Sequence, residues 1–585
     1  MEKKNAGTSS KNATSKVAQI RNLFKKQTTP LNGYLVTSYD QHISEQVAER
    51  DRRLQFMTGF TGHTGNAIIT DTDAYLWADG RYHIQAEKEV QNPFRVMKSG
   101  CSGVPTELEW LIKHFHRGGV LGACGKYVPS SFWTSLADKL EDFNIKLIDV
   151  KDCLVDLIWK DQKGRPCTEL VPQPKQFSGQ IVADKIQDVR NIMSQHDVDT
   201  LVVTELDDIA WLLNLRGHDI PHNPVFFSFL IVRKNYIDIF VDYICECVNH
   251  FLFNEHIHLC DHEYDEFYDA LHEMAEDNEI HKIWVSDKAN QRVHHSIPKA
   301  KLFVWPSPIS NAKCIKNNVE ASGMIEAHVY DGHALCAFFC WVEKSVKSKT
   351  PPTELAAATK LEEIKKLNRD YIGPRSHYQC GTTDMTRTYH FGEATNFMKE
   401  CYTRVFKGQV SLSTAVFPAG TRGSALDSLA RQHLWRVGLD YNHETGHGVG
   451  AYLNVHEGPA TISRNSTDDE GLKANMFLSN EPGYYEEDSF GIRLENVEHV
   501  VKVSRKPEDS HFLTFENITL VPYQTSMLVP SMLSSKEMQY LNTYHTRIRS
   551  ILGPVFQSEN NAEVYDWVMK MTEPLNLNAT QGRAG

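Results

Sequence analysis

The chain lacks the features that mark membrane-spanning, secreted and nucleic-acid-binding proteins. Its net charge of −12 leaves no basic excess to displace counterions from phosphates. The longest purely apolar run extends from Ala334 to Val342, about half the length that a membrane span needs. The first residues do not show the charged region followed by an apolar stretch that is typical of a secretory signal. These absences predict a cytoplasmic protein that binds neither nucleic acid nor membranes.

Closely spaced cysteines are also rare. The chain has 12 cysteines, and its two close pairs, Cys245/Cys247 and Cys336/Cys340, both lack the C-x-x-C spacing of zinc and redox sites. Cys336 and Cys340 are one helical turn apart in an apolar segment, which is typical of buried thiols. The simplest expectation is that the cysteines are reduced, as in a cytoplasmic protein.

The chain is long enough for several domains, because 585 residues exceed what one hydrophobic core organises. Two successive regions alternate short apolar strands with helical stretches, and a proline-bearing polar stretch separates them. We expect a disordered or helical N-terminal arm (1–28), a first α/β domain (29–164), a linker (165–180), a second α/β domain (181–316), a third domain (317–552) and a C-terminal helix and tail (553–585).

Local patterns predict individual elements within these regions. The polar stretch from Met1 to Ser15 predicts disorder, and residues 17–26 predict a short helix. A hairpin is expected around Asp71–Asp73. The predicted strands are 34–37, 66–70, 74–78, 200–204, 226–232, 237–240 and 282–286, and the predicted helices are 181–195, 209–213, a long one through Ile325 to Val342, and 535–571. After Tyr371 the pattern predicts strands and glycine-rich corners.

Four potential metal ligands lie in the last third of the chain: Asp384, His447, Glu481 and Glu495. Three carboxylates and one imidazole suit Mn²⁺, Zn²⁺ or Co²⁺. Taken singly, an aspartate after two threonines or a glutamate before Pro-Gly is usually a turn residue. His447 differs because glycines flank it on both sides, which lets other segments approach a bound ion closely.

A second histidine, His456, lies nine residues beyond His447. This separation does not place both imidazoles on one face of a helix, so a strand and turn around a pocket are favoured. His456 then suits proton transfer rather than metal binding. The ordinary alternative is a core or surface histidine, since the chain contains 27 of them.

These residues lie in segments that resemble a known family. The segments resembling the signatures of cytosolic Xaa-Pro aminopeptidases (aminopeptidase P), a family of pita-bread metallopeptidases, are Gly446–Gly450, Asn454–Pro459, Glu481–Tyr485 and Gly491–Asn496. Gly381–Thr388 is similar to the strand that carries the family's second ligand aspartate. Segments resembling the two N-terminal domains of the family are Gly59–Thr70, Trp77–Tyr82, Ile209–Gly217 and His222–Phe226.

The resemblance implies a fold and an activity. The fold is two ribonuclease-H-like α/β domains of the creatinase type, followed by a pita-bread catalytic domain. The activity is removal of the N-terminal residue from peptides with proline in the second position, by water that a metal activates. A homodimer with two Mn²⁺ ions per subunit is also implied. Proline after the scissile bond lacks an N–H, so its recognition needs a dedicated pocket.

The resemblance also implies roles for individual residues. Asp384 and Glu495 would bridge the two ions, and His447 and Glu481 would complete the coordination of one of them. The remaining two roles fall to histidines: His456 would shuttle protons and His443 would face the substrate.

One ligand of the family is missing. The family's first ligand aspartate is expected eleven residues before Asp384, and that position is Gly373. An upstream segment of some tens of residues, which carries a substrate-side histidine in the family, is also absent. We therefore expect a pita-bread domain that lacks a segment near residues 371–378. It would bind at most one Mn²⁺ ion, and its peptidase activity would be impaired.

Two residues near Gly373 carry side chains that bind metals and are candidate replacements for the missing aspartate. Asp370 is three residues from the required position, in what is predicted to be a helix end. His377 lies on the right segment, but an imidazole cannot act as a bidentate ligand. Neither is expected to restore the second site.

Other functions remain open at this point. A pita-bread domain without complete metal chemistry can act as a non-catalytic peptide- or protein-binding module. Retention of His447, His456, Glu481 and Glu495 argues against this alternative, because binding alone does not need them. Hydrolysis of dipeptides or of creatine is a further possibility that the three-domain layout disfavours.

Overall fold

A computed structural model describes residues 2–368, 370–373, 376–465, 470–503 and 511–576 of the chain. It divides into two compact units. The first unit comprises residues 1–173 and 180–309, and the second comprises residues 174–179 and 310–585. No helix within the described ranges is long and apolar enough to cross a membrane.

The first unit contains two six-stranded mixed sheets. The strands of the first sheet are β1 (Gly33–Thr37), β2 (Gly65–Thr70), β3 (Ala74–Ala78), β4 (Arg95–Lys98), β5 (Gly119–Ala123) and β6 (Ile145–Asp149). The strands of the second sheet are β8 (Thr200–Val203), β10 (Ser228–Arg233), β11 (Ile237–Val241), β12 (Cys260–His262), β13 (Ile283–Val285) and β14 (Leu302–Val304). Two further strands, β7 (Val171–Pro172) and β9 (Leu215–Arg216), pair with each other.

The two sheets share one topology. Their orders are β4-β3-β2-β1-β5-β6 and β12-β11-β10-β8-β13-β14. In each, three central strands are antiparallel and the flanking strands are parallel to their neighbours. The prediction of two related α/β domains is thereby confirmed. Alternation along the strands covers both faces of the first sheet, since Leu76 and Trp77 enter different apolar clusters.

Helices accompany both sheets of the first unit. They are α1 (Glu2–Phe24), α2 (Arg53–Thr58), α3 (His83–Glu89), α4 (Glu107–His114), α5 (Ser130–Glu141), α6 (Leu154–Ile158), α8 (Val182–Gln195), α9 (Leu206–Leu212), α10 (Glu246–Asn254), α11 (Phe267–Glu276) and α12 (Gln291–His295). The predicted hairpin is present: β2 and β3 pair antiparallel, and the N–H of Thr70 donates to the carbonyl of Asp73 across the turn.

The N-terminal arm differs from the prediction. Disorder from Met1 to Ser15 was expected, but α1 begins at Glu2 and continues to Phe24. Val17, Ile20 and Phe24 recur at helical spacing and are buried in an apolar cluster of the first sheet. A helix anchored by such packing can extend through polar residues, because adding a turn costs far less than nucleating one.

The expected linker is partly ordered by pairing. Val171–Pro172 pairs antiparallel with Leu215–Arg216, and α7 (Lys175–Ser178) belongs to the second unit. Arg165 is held by Asp242, with its Nε 2.7 Å from the carboxylate.

One cysteine pair also departs from the expectation. The structure joins Cys245 and Cys247 in a disulfide, whereas the other ten cysteines are free. Uniform reduction of the cysteines is therefore wrong for this one pair, which the sequence spacing did not indicate.

The second unit combines long helices with a six-stranded sheet. Its strands are β15 (Tyr371–Gly373), β16 (His377–Tyr378), β17 (Gly381–Thr382), β18 (Val416–Pro418), β19 (Gly446–Gly448), β20 (Glu457–Ile462), β21 (Phe477–Asn480), β22 (Gly483–Glu486), β23 (Phe490–Arg493), β24 (Asn496–Lys502) and β25 (Phe512–Asn517). The large sheet is antiparallel with the order β18-β25-β24-β21-β19-β20. Its helices are α13 (Pro308–Cys314, which begins at the end of the first unit), α14 (Asn318–Lys347), α15 (Glu354–Lys365), α16 (Asn396–Ser413), α17 (Gly423–Trp435), α18 (Ser535–Ser558) and α19 (Ala562–Met571).

The long helix and the C-terminal helices occur where predicted. The helices α16 and α17 are also present, although the sequence did not predict them. The side chain of Asn317 accepts hydrogen bonds from the N–H groups of Val319 and Glu320 and so caps α14. The prediction of only strands and corners after Tyr371 is wrong for α16 and α17. In α16 the buried Tyr402, Val405 and other residues at helical spacing pack in the core of this unit.

Acid is expected to destabilise the first unit through His42, which is fully buried. Nδ1 lies 2.7 Å from the Thr204 carbonyl and Nε2 lies 2.6 Å from the Tyr264 hydroxyl. Burial lowers the pKa of His42 to about 4, so below pH 6.5 the unfolded chain takes up a proton that the folded chain excludes. The free energy of unfolding should therefore fall by up to about 3 kcal/mol between pH 6.5 and 4. Denaturant titrations of His42→Gln should show a shallower decline over this range, and an unchanged decline would contradict the assignment.

Candidate metal centre

Three of the predicted ligands are brought together by adjacent strands. Glu481 directly follows β21 and Glu495 directly precedes β24, and the two strands pair antiparallel through Asn480 and Asn496. His447 lies in β19, the other neighbour of β21, and its N–H donates to the Ser479 hydroxyl over 2.9 Å. The hairpin of β22 and β23 connects the two glutamates. Sheet pairing therefore places the three side chains at one edge.

Asp384 joins this group from the segment after β17. An isolated bridge pairs Thr386 with Glu495, and the Thr386 hydroxyl donates to the Glu495 carboxylate over 2.5 Å. As a result, potential ligand atoms of Asp384, His447 and Glu495 all lie within 4.8 Å of one another. Glu481 contacts the same imidazole, since its Oε1 is 3.3 Å from Nε2 of His447.

The orientation of His447 suits metal binding. Its Nδ1 lies 2.9 Å from the Gly448 carbonyl, which can only accept, so Nδ1 carries the hydrogen. Nε2 faces the carboxylates and is 3.3 Å from Oδ2 of Asp384. A ligand histidine commonly has its second nitrogen fixed in this way by a backbone carbonyl.

The glycines around His447 are required by close packing. A Cβ at Gly446 would lie 1.9 Å from the Ser479 carbonyl oxygen, and one at Gly448 would lie 2.3 Å from the Glu457 carbonyl oxygen. The backbone on both sides of His447 can therefore approach its neighbouring strands only without side chains. The role anticipated for these glycines was closeness to an ion, but here they allow closeness between strands.

The charges at this site are concentrated and buried. Burial and the nearby charges of Asp384 and Glu481 raise the pKa of Glu495 well above its usual range. Burial opposes ionisation of Glu481, but its hydrogen bond with His447 lowers its pKa to about 2. Burial opposes protonation of His447, but the hydrogen bonds with Asp384 and Glu481 raise its pKa. The buried Glu481 and Glu495 and the half-buried Asp384 repel one another around one imidazole, and a divalent cation would offset this repulsion.

The two histidines with expected catalytic roles differ in their contacts and in their distance from His447. The ring of His456 packs edge-on against that of His447, with centroids 4.2 Å apart. His443 is further along the site, where its Nδ1 is 2.7 Å from the Glu444 carbonyl and its Nε2 accepts from the Tyr485 hydroxyl over 2.9 Å. Burial, together with the charge of Arg493, lowers the pKa of His443 to about 4, which keeps this imidazole neutral.

Several residues of the site were not singled out from the sequence. Arg493 donates to the Tyr485 hydroxyl over 2.9 Å and lies 3.7 Å from the Glu481 carboxylate, so it links His443 to the ligand group. The Ser479 hydroxyl lies 3.3 Å from Oε1 of Glu481. Tyr485 and Arg493 are within the quoted signature segments, so their position beside the ligands was the available signal.

The positions discussed as replacements do not join the ligand group. The helix α15 ends at Lys365, and Asp370 lies in a turn beyond it. The prediction of a helix end at Asp370 is therefore wrong. Nδ1 of the buried His377 lies 3.2 Å from the Thr382 hydroxyl. Gly373 is in β15, and apart from its chain neighbours no described residue has an atom within 4 Å of where its Cβ would be. Its neighbours Pro374 and Arg375 lie outside the described residues.

Comparison with known protein families identifies the architecture. Residues 16–157 and 161–320 match two models described as Creatinase/Prolidase N-terminal domain. Residues 374–502 match metallopeptidase family M24, and residues 511–575 match the C-terminal region of peptidase M24. The Xaa-Pro aminopeptidase ApepP of Drosophila melanogaster is 36% identical over 589 aligned positions, which cover 93% of this chain and 96% of that protein. This chain belongs to the Xaa-Pro aminopeptidase family.

Further relatives agree with this membership. A probable Xaa-Pro aminopeptidase P of Laccaria bicolor is 36% identical over 615 positions, covering 97% of this chain and 94% of that protein. The crystal structure of the X-prolyl aminopeptidase from Caenorhabditis elegans, described as a cytosolic enzyme with a di-nuclear active site, superimposes with a TM-score of 0.92 and 32% identity. It covers 96% of this chain and all of that one. The fold of this Xaa-Pro aminopeptidase family member is thus creatinase-type N-terminal domains followed by a pita-bread domain.

A buried arginine should be critical for the stability of the metal-centre segment. Arg387 donates to the carbonyls of Thr386, Glu495 and Val521 and to the side chains of Asn496 and Tyr544. Arg387→Met would leave these buried acceptors without their donor and should lower the free energy of unfolding by about 3 kcal/mol or more. Arg387→Lys should recover little, since an ammonium cannot reproduce the planar fork. A loss below about 1 kcal/mol in denaturant unfolding would refute this role.

Proposed function

We propose that Asp384, His447, Glu481 and Glu495 hold a divalent metal ion, with Mn²⁺ as the expected ion. The observation that carries this proposal is the convergence of the carboxylates of Asp384 and Glu481 on Nε2 of His447, with Glu495 beside them. Oxygen donors with one nitrogen are the ligand chemistry of such ions. When bound, the ion supplies Lewis acidity that activates water and polarises a carbonyl group.

The proposed reaction is hydrolysis of the bond before proline in peptides with proline in the second position. Relatives named Xaa-Pro aminopeptidase support this substrate class. His456, whose ring touches that of His447, would move the proton that the reaction requires. His443, held neutral and fixed by Tyr485, would orient the substrate through hydrogen bonding.

We further propose that the chain lacks a segment of the pita-bread domain near residues 371–378. The alignment with the Drosophila melanogaster protein has 589 positions, whereas 93% of 585 residues is about 544, so about 45 positions have no residue of this chain. The exposure of Leu355 (78%) and Leu367 (86%), two large apolar side chains at α15 just before this point, supports the same proposal.

Loss of this segment has a chemical consequence. Gly373 stands where the family's first ligand aspartate is expected, so a second ion would keep only the carboxylates shared with the first. One Mn²⁺ ion per chain at most is proposed, and peptidase activity is expected to be impaired. This loss would remove the additional Lewis acidity that a second ion would supply.

The proposed function can be tested with purified protein, with and without Mn²⁺. We expect slow, Mn²⁺-dependent release of the first residue from an Xaa-Pro-Xaa tripeptide and no release from the matched Xaa-Ala-Xaa tripeptide. Release from Xaa-Ala-Xaa at an equal rate would refute the specificity. Rapid turnover, as fast as that of the purified Drosophila melanogaster relative, would refute the impairment.

A non-catalytic peptide-binding role is the alternative that the missing aspartate favours. Affinity for a proline-containing peptide distinguishes the two functions. Binding that a chelator weakens supports the metal centre, whereas binding that a chelator leaves unchanged, without any hydrolysis, supports the alternative. Assays with an Xaa-Pro dipeptide and with creatine cover the other chemistries of the fold.

The assembly, location and domain limits are proposed on the same family basis. We propose a cytoplasmic homodimer, which light scattering of the purified protein tests directly. Domain limits at 29–164, 181–316 and 317–552 are proposed as well, and limited proteolysis would test them. Cleavage within residues 165–180 is expected before cleavage inside either sheet.

A further inference from the structure

A buried ion pair lies behind the candidate metal centre. Nζ of Lys316 contacts Oε1 of Glu457, and the two side chains are each 1% exposed. Nζ of Lys313 lies 3.8 Å from the other oxygen of the same carboxylate. Lys316 follows α13, and its N–H donates to the carbonyl of Asn475 over 2.9 Å. None of these charges has a role in the chemistry described above, although burying them is costly.

Glu457 connects this ion pair to the ligand segment. It is the first residue of β20 and pairs with Gly448, the residue after His447, where the register of the two strands shifts. A Cβ added at Gly448 would lie 2.3 Å from the carbonyl oxygen of Glu457. A Cβ added at Gly450 would lie 2.8 Å from the Glu457 carboxylate. Both ends of Glu457 are therefore in close contact with the glycine segment around His447.

Glu457 also follows His456 in the chain. The ring of His456 rests against that of His447 at 4.2 Å, although nine residues separate them. A shift of Glu457 would displace the backbone of His456 directly and that of Gly448 through the strand pairing. A single anchored carboxylate thus determines the position of both imidazoles.

We propose that Lys316 is a positioning residue of the metal centre, acting by anchoring Glu457 and thereby fixing His447 and His456. This inference rests on the proposed metal site. The Nζ of Lys316 contacts the Glu457 carboxylate and lies 3.5 Å from the Cys314 carbonyl, so Glu457 is its link to the ligand segment. Groups that orient metal ligands typically alter metal affinity when they are replaced.

The test measures Mn²⁺ affinity and thermal unfolding for a set of variants at one pH. Lys316→Met should weaken Mn²⁺ binding by about 10-fold or more and lower the melting temperature. Lys316→Arg should regain part of the affinity, because it keeps the charge. The matched control is Lys407→Met. Nζ of Lys407 lies 2.6 Å from the Glu537 carboxylate in the same unit and also donates to the Met532 carbonyl. Neither partner is one of the four candidate ligands, so this variant should leave Mn²⁺ affinity unchanged.

A triple variant separates positioning from stability. Lys313→Met, Lys316→Met and Glu457→Gln together remove all three charges of this cluster and should restore most of the melting temperature. The proposal expects Mn²⁺ binding to stay weak in this triple variant. Recovery of affinity together with stability would assign Lys316 a merely structural role and overturn the proposal. Absence of Mn²⁺ binding by the unaltered chain would instead refute the metal site itself, whereas normal binding by Lys316→Met would refute only the positioning.

Discussion

A chain in which the missing segment is restored is expected to hydrolyse Xaa-Pro peptides at least about 100-fold faster than the unaltered chain. The change replaces the residues between Leu367 and Tyr378 with the longer corresponding segment of the Drosophila melanogaster relative. It should also raise bound Mn²⁺ from one ion to two per chain. The physical reason is that the restored aspartate would help to hold a second ion, which would supply additional Lewis acidity at the site.

The matched control carries the same inserted segment with asparagine in place of its ligand aspartate. Asparagine keeps the volume and the fold of the segment but removes the negative charge that a second ion needs. This control should bind one ion and remain as slow as the unaltered chain. Equal rates for both inserted chains would mean that the segment contributes folding alone, and equal rates for all three chains would contradict the proposed loss.

Replacing a ligand glutamate should have opposite effects on metal binding and on metal-free stability. Glu495→Gln removes one of the buried, mutually repelling carboxylates while its remaining oxygen can still accept from the Thr386 hydroxyl. Without metal, the free energy of unfolding should rise by roughly 1 kcal/mol. Mn²⁺ affinity should fall by at least about 100-fold, since a direct ligand matters more than an outer residue. Denaturant unfolding with and without Mn²⁺ measures both effects.

Glu498→Gln provides the comparison for this second prediction. Glu498 is also buried in β24, but its carboxylate is bonded to Ser413 and Asn480 rather than to the ligand group. Burial raises its pKa to about 7, so Glu498→Gln should also raise the free energy of unfolding at neutral pH, but it removes no candidate ligand. Mn²⁺ affinity should stay within a few-fold of the unaltered chain. If Glu495→Gln destabilised the metal-free protein, the carboxylates would form a structural network instead of a metal site.

Much of the fold was predictable from local patterns. The strands 34–37 and 74–78 are short apolar runs, the long helix through Ile325 has apolar residues at helical spacing, and each occurs in the structure. The four candidate ligands could be singled out for a different reason. Signature segments carry them, and the convergence of β19, β21 and β24 on one edge cannot be derived from spacing alone.

The remaining features depend on contacts between distant parts of the chain. Lys316 and Glu457 are 141 residues apart, so no local pattern links them. The helix α1 is ordered by the core that it covers, and its polar beginning indicates disorder when read alone. Similarly, the hairpin of β22 and β23 brings the Tyr485 hydroxyl to His443 and Arg493 to Tyr485, and neither contact can be read from the local sequence.

The number of Mn²⁺ ions that each chain binds decides between a single-ion and a two-ion centre. The purified, unaltered protein would be dialysed against Mn²⁺, and bound metal would be measured by elemental analysis together with electron paramagnetic resonance. We expect one Mn²⁺ ion per chain with the spectrum of an isolated ion, and its loss in Asp384→Asn. Two ions per chain with a spin-coupled spectrum would contradict the proposed single-ion site, because the four candidate ligands can complete only one site.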